Sequence, residues 1–186
     1  MRKPALIVIA AISSWSAVAT AQPAAQPPAA QPAAQAPAVQ PSAAKPAAVA
    51  PADEATRFVT TLLDKFNKGD ANAWLSAHAD NALIVDEFAP HVWSGTGSPR
   101  RWLDAYSKDS QVNGVTGGRL DYGKPLQATS DGSTAYLVLP TTYRFVQKGA
   151  KMAEPGSMTF VMKRDGPGWK IASWTYSAAG AAAPEK

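Results

Sequence analysis

Two adjacent carboxylates, an imidazole and an indole crowd into one stretch of this chain: Asp86-Glu87-Phe88-Ala89-Pro90-His91-Val92-Trp93-Ser94-Gly95. A carboxylate carried into an apolar interior has its charged form disfavoured, so its pKa rises. A carboxylate poised near neutrality can take a proton from carbon or oxygen as a general base. Asp86 and Glu87 are consecutive, so on a strand they point to opposite faces. Glu87 shares a side with Leu83 and Val85, and Asp86 shares one with Ala82, Ile84 and Phe88. The phase leaves both open; Asp86 is the preferred base, and the competing role is to anchor the loop by accepting backbone N–H groups. His91 is one of two histidines. At a strand end after a proline it can shuttle protons at a pocket mouth, since its unperturbed pKa is about 6.5, or it can serve as a hydrogen-bonded structural group. His78 reads as structural.

The chain has no cysteine, and Asp86, Glu87 and His91 do not have metal-ligand spacing, so no metal site is expected. Neither a phosphate-binding glycine loop nor a nucleophile elbow is present. Any chemistry here is expected to run without a cofactor. Trp93, Trp102, Tyr106, Tyr143, Trp174 and Tyr176 are the rings available to wall a pocket. Aromatic walls with a few polar groups describe a small-molecule site, and they equally describe a core. Trp93 and Tyr143 are placed in the pocket, Trp74 and Trp169 in the core, and Met158 and Met162 in the sheet as packing filler.

The elements that must hold these groups follow from periodicity and punctuation. Asp53 is a candidate N-cap with Glu54 in the first turn. Phe58, Leu62, Leu63 and Phe66 then recur at helical spacing, and Gly69 stops the helix. Asp70 caps a short second helix carrying Trp74, Leu75 and His78. A strand over 82–88 leads into the central loop. Ser98-Pro99 opens a third helix, with Ser98 as N-cap and Pro99 at the first position, running to about Asp109 with Trp102, Leu103 and Tyr106 on one side. Gly114, Gly117 and Gly118 mark a flexible loop. The remainder reads as β: 119–129 with a bulge at Pro125, a turn at 130–133, 134–147 with a bulge or exposed edge at Pro140, a loop over 148–155, 156–164, a turn at 165–168, and 169–177. Helices first and a meander after them predict an α+β fold, three N-terminal helices on a curved antiparallel sheet.

The 186 residues are not all fold. Met1-Arg2-Lys3, the apolar run Ala5–Ile12 and Ala19-Thr20-Ala21 read as a signal peptide over 1–21, its apolar run too short to span a bilayer. Residues 22–52, rich in Ala, Pro and Gln, read as a disordered linker of roughly 3.1 Å per residue where extended. That leaves one domain over 53–179 and a flexible tail over 180–186. The export signal predicts a periplasmic or secreted protein. The formal charge is +4 over the whole chain, but 53–179 carries 14 Lys+Arg against 13 Asp+Glu. A nucleic-acid partner is therefore not expected, and Arg100-Arg101 and Lys163-Arg164 read as solvated surface.

This order of elements, with the closing Gly168-Trp169-Lys170-Ile171 and Trp174-Thr175-Tyr176, resembles the nuclear-transport-factor-2-like (NTF2-like) superfamily. The Asp86-Glu87-Phe88, Pro90, Trp93-Ser94-Gly95 loop with Trp102 in the next helix is similar to its SnoaL-like branch. The resemblance covers 53–178 and implies a cone-shaped sheet wrapped on helices, and homodimers formed through the sheet. It also implies that Asp86 or Glu87 lies on the strand where the steroid-isomerase members carry their base. Those members hold a developing oxyanion with a tyrosine from the first helix. Ala55–Asn67 has no tyrosine, so Tyr143, Tyr106 or Trp174 would have to substitute. Three readings follow. The first is an exported module binding a small apolar or aromatic molecule. The second is a cofactor-independent isomerase, dehydratase or cyclase using Asp86 or Glu87 with His91 or Tyr143. The third is a protein-interaction domain whose cavity its own side chains fill.

Overall fold

The structure is a computed structural model and describes residues 50–180 and 182–184. The signal peptide and the linker up to residue 49 lie outside the described residues. Among those described, no helix is long and apolar enough to cross a membrane. Helix α1 spans Pro51–Phe66. It starts two residues before the expected Asp53, because Pro51 supplies a ready-made first-turn φ and needs no hydrogen bond from its nitrogen. Ala55, Val59, Leu62 and Leu63 form its buried stripe. Asp70 caps α2 (Ala71–Ala77) by accepting from the Ala73 N–H at 2.8 Å. Strand β1 (His78–Val85) and the short β2 (Val92–Trp93) flank the central loop.

Helix α3 runs Ser98–Asn113, one turn longer than expected. Gly97, at φ 72°, takes the N-cap position. Ser98, which is fully buried, instead sends its hydroxyl to the Ala82 carbonyl at 2.5 Å. That bond fixes the start of α3 against β1. Gly114 closes the helix in the left-handed conformation, the usual role of a glycine just past a helix end.

The sheet order is β2-β1-β7-β6-β5-β3, with β3 Val115–Tyr122, β5 Thr134–Gln147, β6 Ala150–Asp165 and β7 Gly168–Ala178. Strand β4 (Gln127–Ser130) pairs β5 beyond the end of β3, and β8 (Ala183–Pro184) pairs β6 through Met152 and Ala153. The sheet is mixed, because β1 runs parallel to β7. Tight hairpins force β4, β5, β6 and β7 to alternate. Strand β1 reaches β7 through the whole intervening chain, which leaves a parallel pairing open.

Three further differences from the sequence reading have local causes. The strand expected over 119–129 is two strands, parted at Gly123–Leu126. Pro140 neither bulges nor sits at an edge, since β5 and β6 pair without a shift through Pro140↔Ser157. Its carbonyl accepts from the Gly123 N–H, so its missing N–H faces the break between β3 and β4, where no acceptor waits. The loop expected over 148–155 is only the turn Lys148-Gly149. Positive φ at both residues (51° and 85°) makes a tight hairpin, and β6 begins at Ala150.

The helices and the concave side of the sheet share a core containing Trp74, Trp174, Phe160, Leu63, Ile84 and Leu139. Arg164 is not simple solvated surface. It forks onto Glu54 at 2.9 and 2.5 Å and lies over the Trp169 ring at 4.2 Å, tying α1 to the far end of the sheet. A buried hydroxyl that bonds across elements is worth about 1 kcal/mol. Ser98→Ala is therefore expected to lower stability by about that much in urea denaturation while leaving the far-ultraviolet circular dichroism spectrum unchanged.

Candidate functional site

Asp86 leaves the end of β1 and is buried at 9 % exposure, with both carboxylate oxygens engaged. Oδ1 accepts from the Glu87 N–H at 2.8 Å and Oδ2 from the Trp102 indole Nε1–H at 2.9 Å. Trp102 stands four residues after Ser98, so the bond that seats α3 on β1 also brings the indole down on the carboxylate. The following residues extend this stripe: Trp102, Tyr106, Asp109, Ser110 and Asn113 all line one cavity of about 280 Å³. The opposite wall alternates along the strands, with Tyr143, Phe145 and Gln147 from β5, Glu154 and Met158 from β6, and Trp174 and Tyr176 from β7. Glu87 and Phe88 complete the side beside Asp86.

The polar groups inside fall into two sets. On one side, the Tyr106 and Tyr143 hydroxyls meet at 2.8 Å. Gly118 on β3 makes room for them. A Cβ there would lie 2.6 Å from the Tyr143 hydroxyl and 2.7 Å from that of Tyr106. On the other side, the Glu87 carboxyl lies beside that of Glu154. The Tyr176 hydroxyl donates toward Glu154, 3.3 Å from Oε2. Gly156 carries Tyr176 in the same way, since a Cβ there would come within 3.0 Å of its hydroxyl and 2.6 Å of the Ser177 carbonyl.

Burial sets the protonation of these acids. It pushes the Asp86 carboxyl up to about 6, against the pull of the Trp102 and Glu87 hydrogen bonds. Glu87 is exposed as a whole residue, but its carboxyl end faces the cavity and Glu154. Burial, then the Glu154 carboxyl beside it, pushes Glu87 up to about 8. The Tyr106, Tyr143 and Tyr176 hydroxyls are likewise pushed up, first by burial, and so stay protonated donors. The indole N–H groups of Trp74 and Trp174, both residues that line the cavity, are buried and meet no acceptor among the described residues.

Of the residues singled out in the sequence, the cavity gathers Asp86, Glu87, Trp102, Tyr106, Tyr143, Trp174 and Tyr176, and also Trp74 and Met158, which were expected only as core and sheet filler. Asp86 and Glu87 both reach it, because the chain leaves strand geometry after Val85 and the two-face alternation no longer applies. Trp93 does not line it. Paired with Ile84, it packs behind Phe88 at 5.0 Å, and Phe88 takes the wall position. His91 also lies outside. It is exposed at φ 71°, and its Nδ1 faces the Asp86 carbonyl at 3.3 Å. The second histidine, His78, is buried against Trp74 with Nδ1 2.7 Å from the Trp74 carbonyl. Burial holds it down at about 4, so it is neutral. No cluster of metal-ligating side chains occurs among the described residues.

Sequence reasoning missed Glu154 and Asp109. Glu154 was hidden by reading 148–155 as a loop; it has the same parity as Met158, Phe160 and Met162, and extending that strand backward would have found it. Asp109 stands seven residues after Trp102, on the same helical stripe.

A curved sheet folded over three helices, with acids and phenols inside the fold, defines an NTF2-like protein. The chain belongs to the SnoaL-like domain family, whose model matches residues 56–181. No curated protein matches the chain in sequence. Solved structures share the fold at low identity. A hexachlorocyclohexane dehydrochlorinase (LinA) Type2 is 11 % identical, with 72 % of this chain and 88 % of that chain covered and a TM-score of 0.60. A ketosteroid isomerase-like protein from Erwinia carotovora atroseptica is 16 % identical, covering 69 % and 96 %, with a TM-score of 0.54. The S. rosetta CaMKII hub is 19 % identical, covering 72 % and 100 %, with a TM-score of 0.54.

Two outcomes are expected. Folded Asp86 holds its proton more tightly than the unfolded chain does, so its contribution to stability is fully present below about pH 4 and is lost as pH rises through about 6. Asp86→Asn is expected to remove a pH-dependent loss on the order of 2 kcal/mol, read from urea midpoints between pH 4 and 7. Gly118→Ala is expected to push the Tyr106 and Tyr143 hydroxyls into the cavity. The change is visible as shifted tyrosine ring signals by NMR, with the fold retained.

Proposed function

We propose that this domain is a small-molecule-binding module that takes a compact ring-bearing or apolar molecule into the cavity under α3. The observation that carries the reading is the cavity itself: about 280 Å³, walled by aromatic rings from helices and sheet, with a few convergent polar groups. That volume sits at the small end of the range of about 300–1,000 Å³ for ligand sites.

A second reading is favoured by Asp86 specifically. A carboxyl held near 6 in an apolar cavity, opposite the paired hydroxyls of Tyr106 and Tyr143, is placed for a cofactor-independent isomerisation or elimination. Asp86 would take a proton from the carbon next to a carbonyl, and the tyrosine pair would donate hydrogen bonds to the enolate oxygen that forms. The solved dehydrochlorinase and the ketosteroid isomerase-like protein share the fold; their chemistry enters here by analogy alone. Export on residues 1–21, with the residues from 22 up to the start of α1 as a spacer, remains part of the proposal. So does pairing of two copies through the outer sheet face, where Leu83, Val92 and Tyr136 are exposed.

Native mass spectrometry of protein purified from its own host tests the binding reading. A retained small molecule, lost in Gly118→Ala, is expected. A bare protein that also shows no change in tryptophan emission with indole or 2-phenylethanol contradicts it. If the enzyme reading holds, Asp86→Asn is expected to keep the fold and the ligand and to lower turnover by about 10²–10⁴-fold.

A further inference from the structure

The charges in this cavity are all of one sign. Asp86, Glu87, Asp109 and Glu154 line it, and among the described residues no lysine, arginine or histidine does. Within those residues the hydrogen bonds of these acids come from neutral groups. Trp102 and a backbone N–H serve Asp86, Asn113 serves Asp109 at 3.0 Å, and Tyr176 serves Glu154. Glu87 and Glu154 lie beside each other, two like charges in one cavity. Among the described residues, arginines pair with Asp121 and Glu54, which do not line the cavity.

Resting on the binding reading above, we propose that the cavity selects a protonated amine carried on an aromatic or apolar body, and rejects carboxylates. A carboxylate ligand would add like charge to a low-dielectric space that already struggles to ionise its own acids. An ammonium does the opposite, supplying the missing cation. The surrounding rings of Trp74, Trp102, Tyr106 and Trp174 add to the preference, since an aromatic face attracts a desolvated cation.

Affinity for such a ligand depends on pH through the groups that face it. These are Asp86 and Glu87 after β1, Asp109 and Tyr106 on α3, Tyr143 on β5, Glu154 on β6 and Tyr176 on β7. The phenols stay protonated. As Asp86 and Glu87 ionise between about pH 5 and 8, a cation that keeps its proton throughout is bound more tightly.

Three probes sharing one body test this: tyramine (ammonium), tyrosol (neutral alcohol) and 4-hydroxyphenylacetate (carboxylate), titrated calorimetrically into the full chain. Tyramine is expected to bind at least about tenfold more tightly than tyrosol at pH 7.5, with 4-hydroxyphenylacetate weakest. Its affinity should climb from pH 5 to 8 while that of tyrosol stays flat, and Glu154→Gln should narrow the gap between the two. Tyrosol binding as tightly as tyramine overturns the charge preference and leaves the cavity reading standing. Binding by none of the three overturns the inference as well, and the mass spectrum described above then judges the cavity reading separately.

Discussion

One hydrogen bond organises this molecule: the Trp102 indole donating to the Asp86 carboxylate at 2.9 Å. It joins the third helix to the end of the first strand at the point where the chain leaves the sheet. The Ser98 hydroxyl on the Ala82 carbonyl sets the helix origin, and the indole bond four residues on sets its rotation. With both in place, the stripe from Trp102 to Asn113 can only face the sheet, and the gap between them is the cavity. The same bond stabilises the ionised form of Asp86 while burial opposes it. The outcome near 6 is a balance, with burial ahead.

The cavity departs from an ordinary core in what it buries. Three phenols and the indoles of Trp74, Trp102 and Trp174 accompany four acids, within an interior otherwise built from Leu, Ile, Met and Phe. Such groups are costly unless matched. The protein matches several of them to each other, tyrosine to tyrosine, indole to carboxylate and phenol to carboxylate. Two glycines, Gly118 and Gly156, give up side chains so that the tyrosine hydroxyls have room. Local stability is thus spent where the polar groups converge, which is the usual mark of a site rather than a scaffold.

Much of this was legible in the chain. The apolar stripe of α1, the Asp70 cap and the closing Trp169–Ser177 strand follow from spacing and turn residues, and together they gave the α+β class. Asp86 and Trp102 stood out as a carboxylate and a ring near a strand end. Other features were hidden because they depend on partners far along the chain. The parallel pairing of β1 with β7 is decided by tertiary packing. The hairpin at Lys148-Gly149 needs a non-glycine residue at positive φ, which composition does not announce, and misreading it concealed Glu154. Trp93 and Phe88 were interchangeable by type, and only the β2 register sends one behind the other.

The account rests on acids kept in an apolar space with no cation beside them among the described residues. A carbon-13 NMR titration of the side-chain carboxyls, assigned by Asp86→Asn and Glu87→Gln, measures this directly. Midpoints near 6 for Asp86 and well above the ordinary glutamate range for Glu87 are predicted. Midpoints near 4 for both would mean that water or a cation already reaches them, and would contradict it.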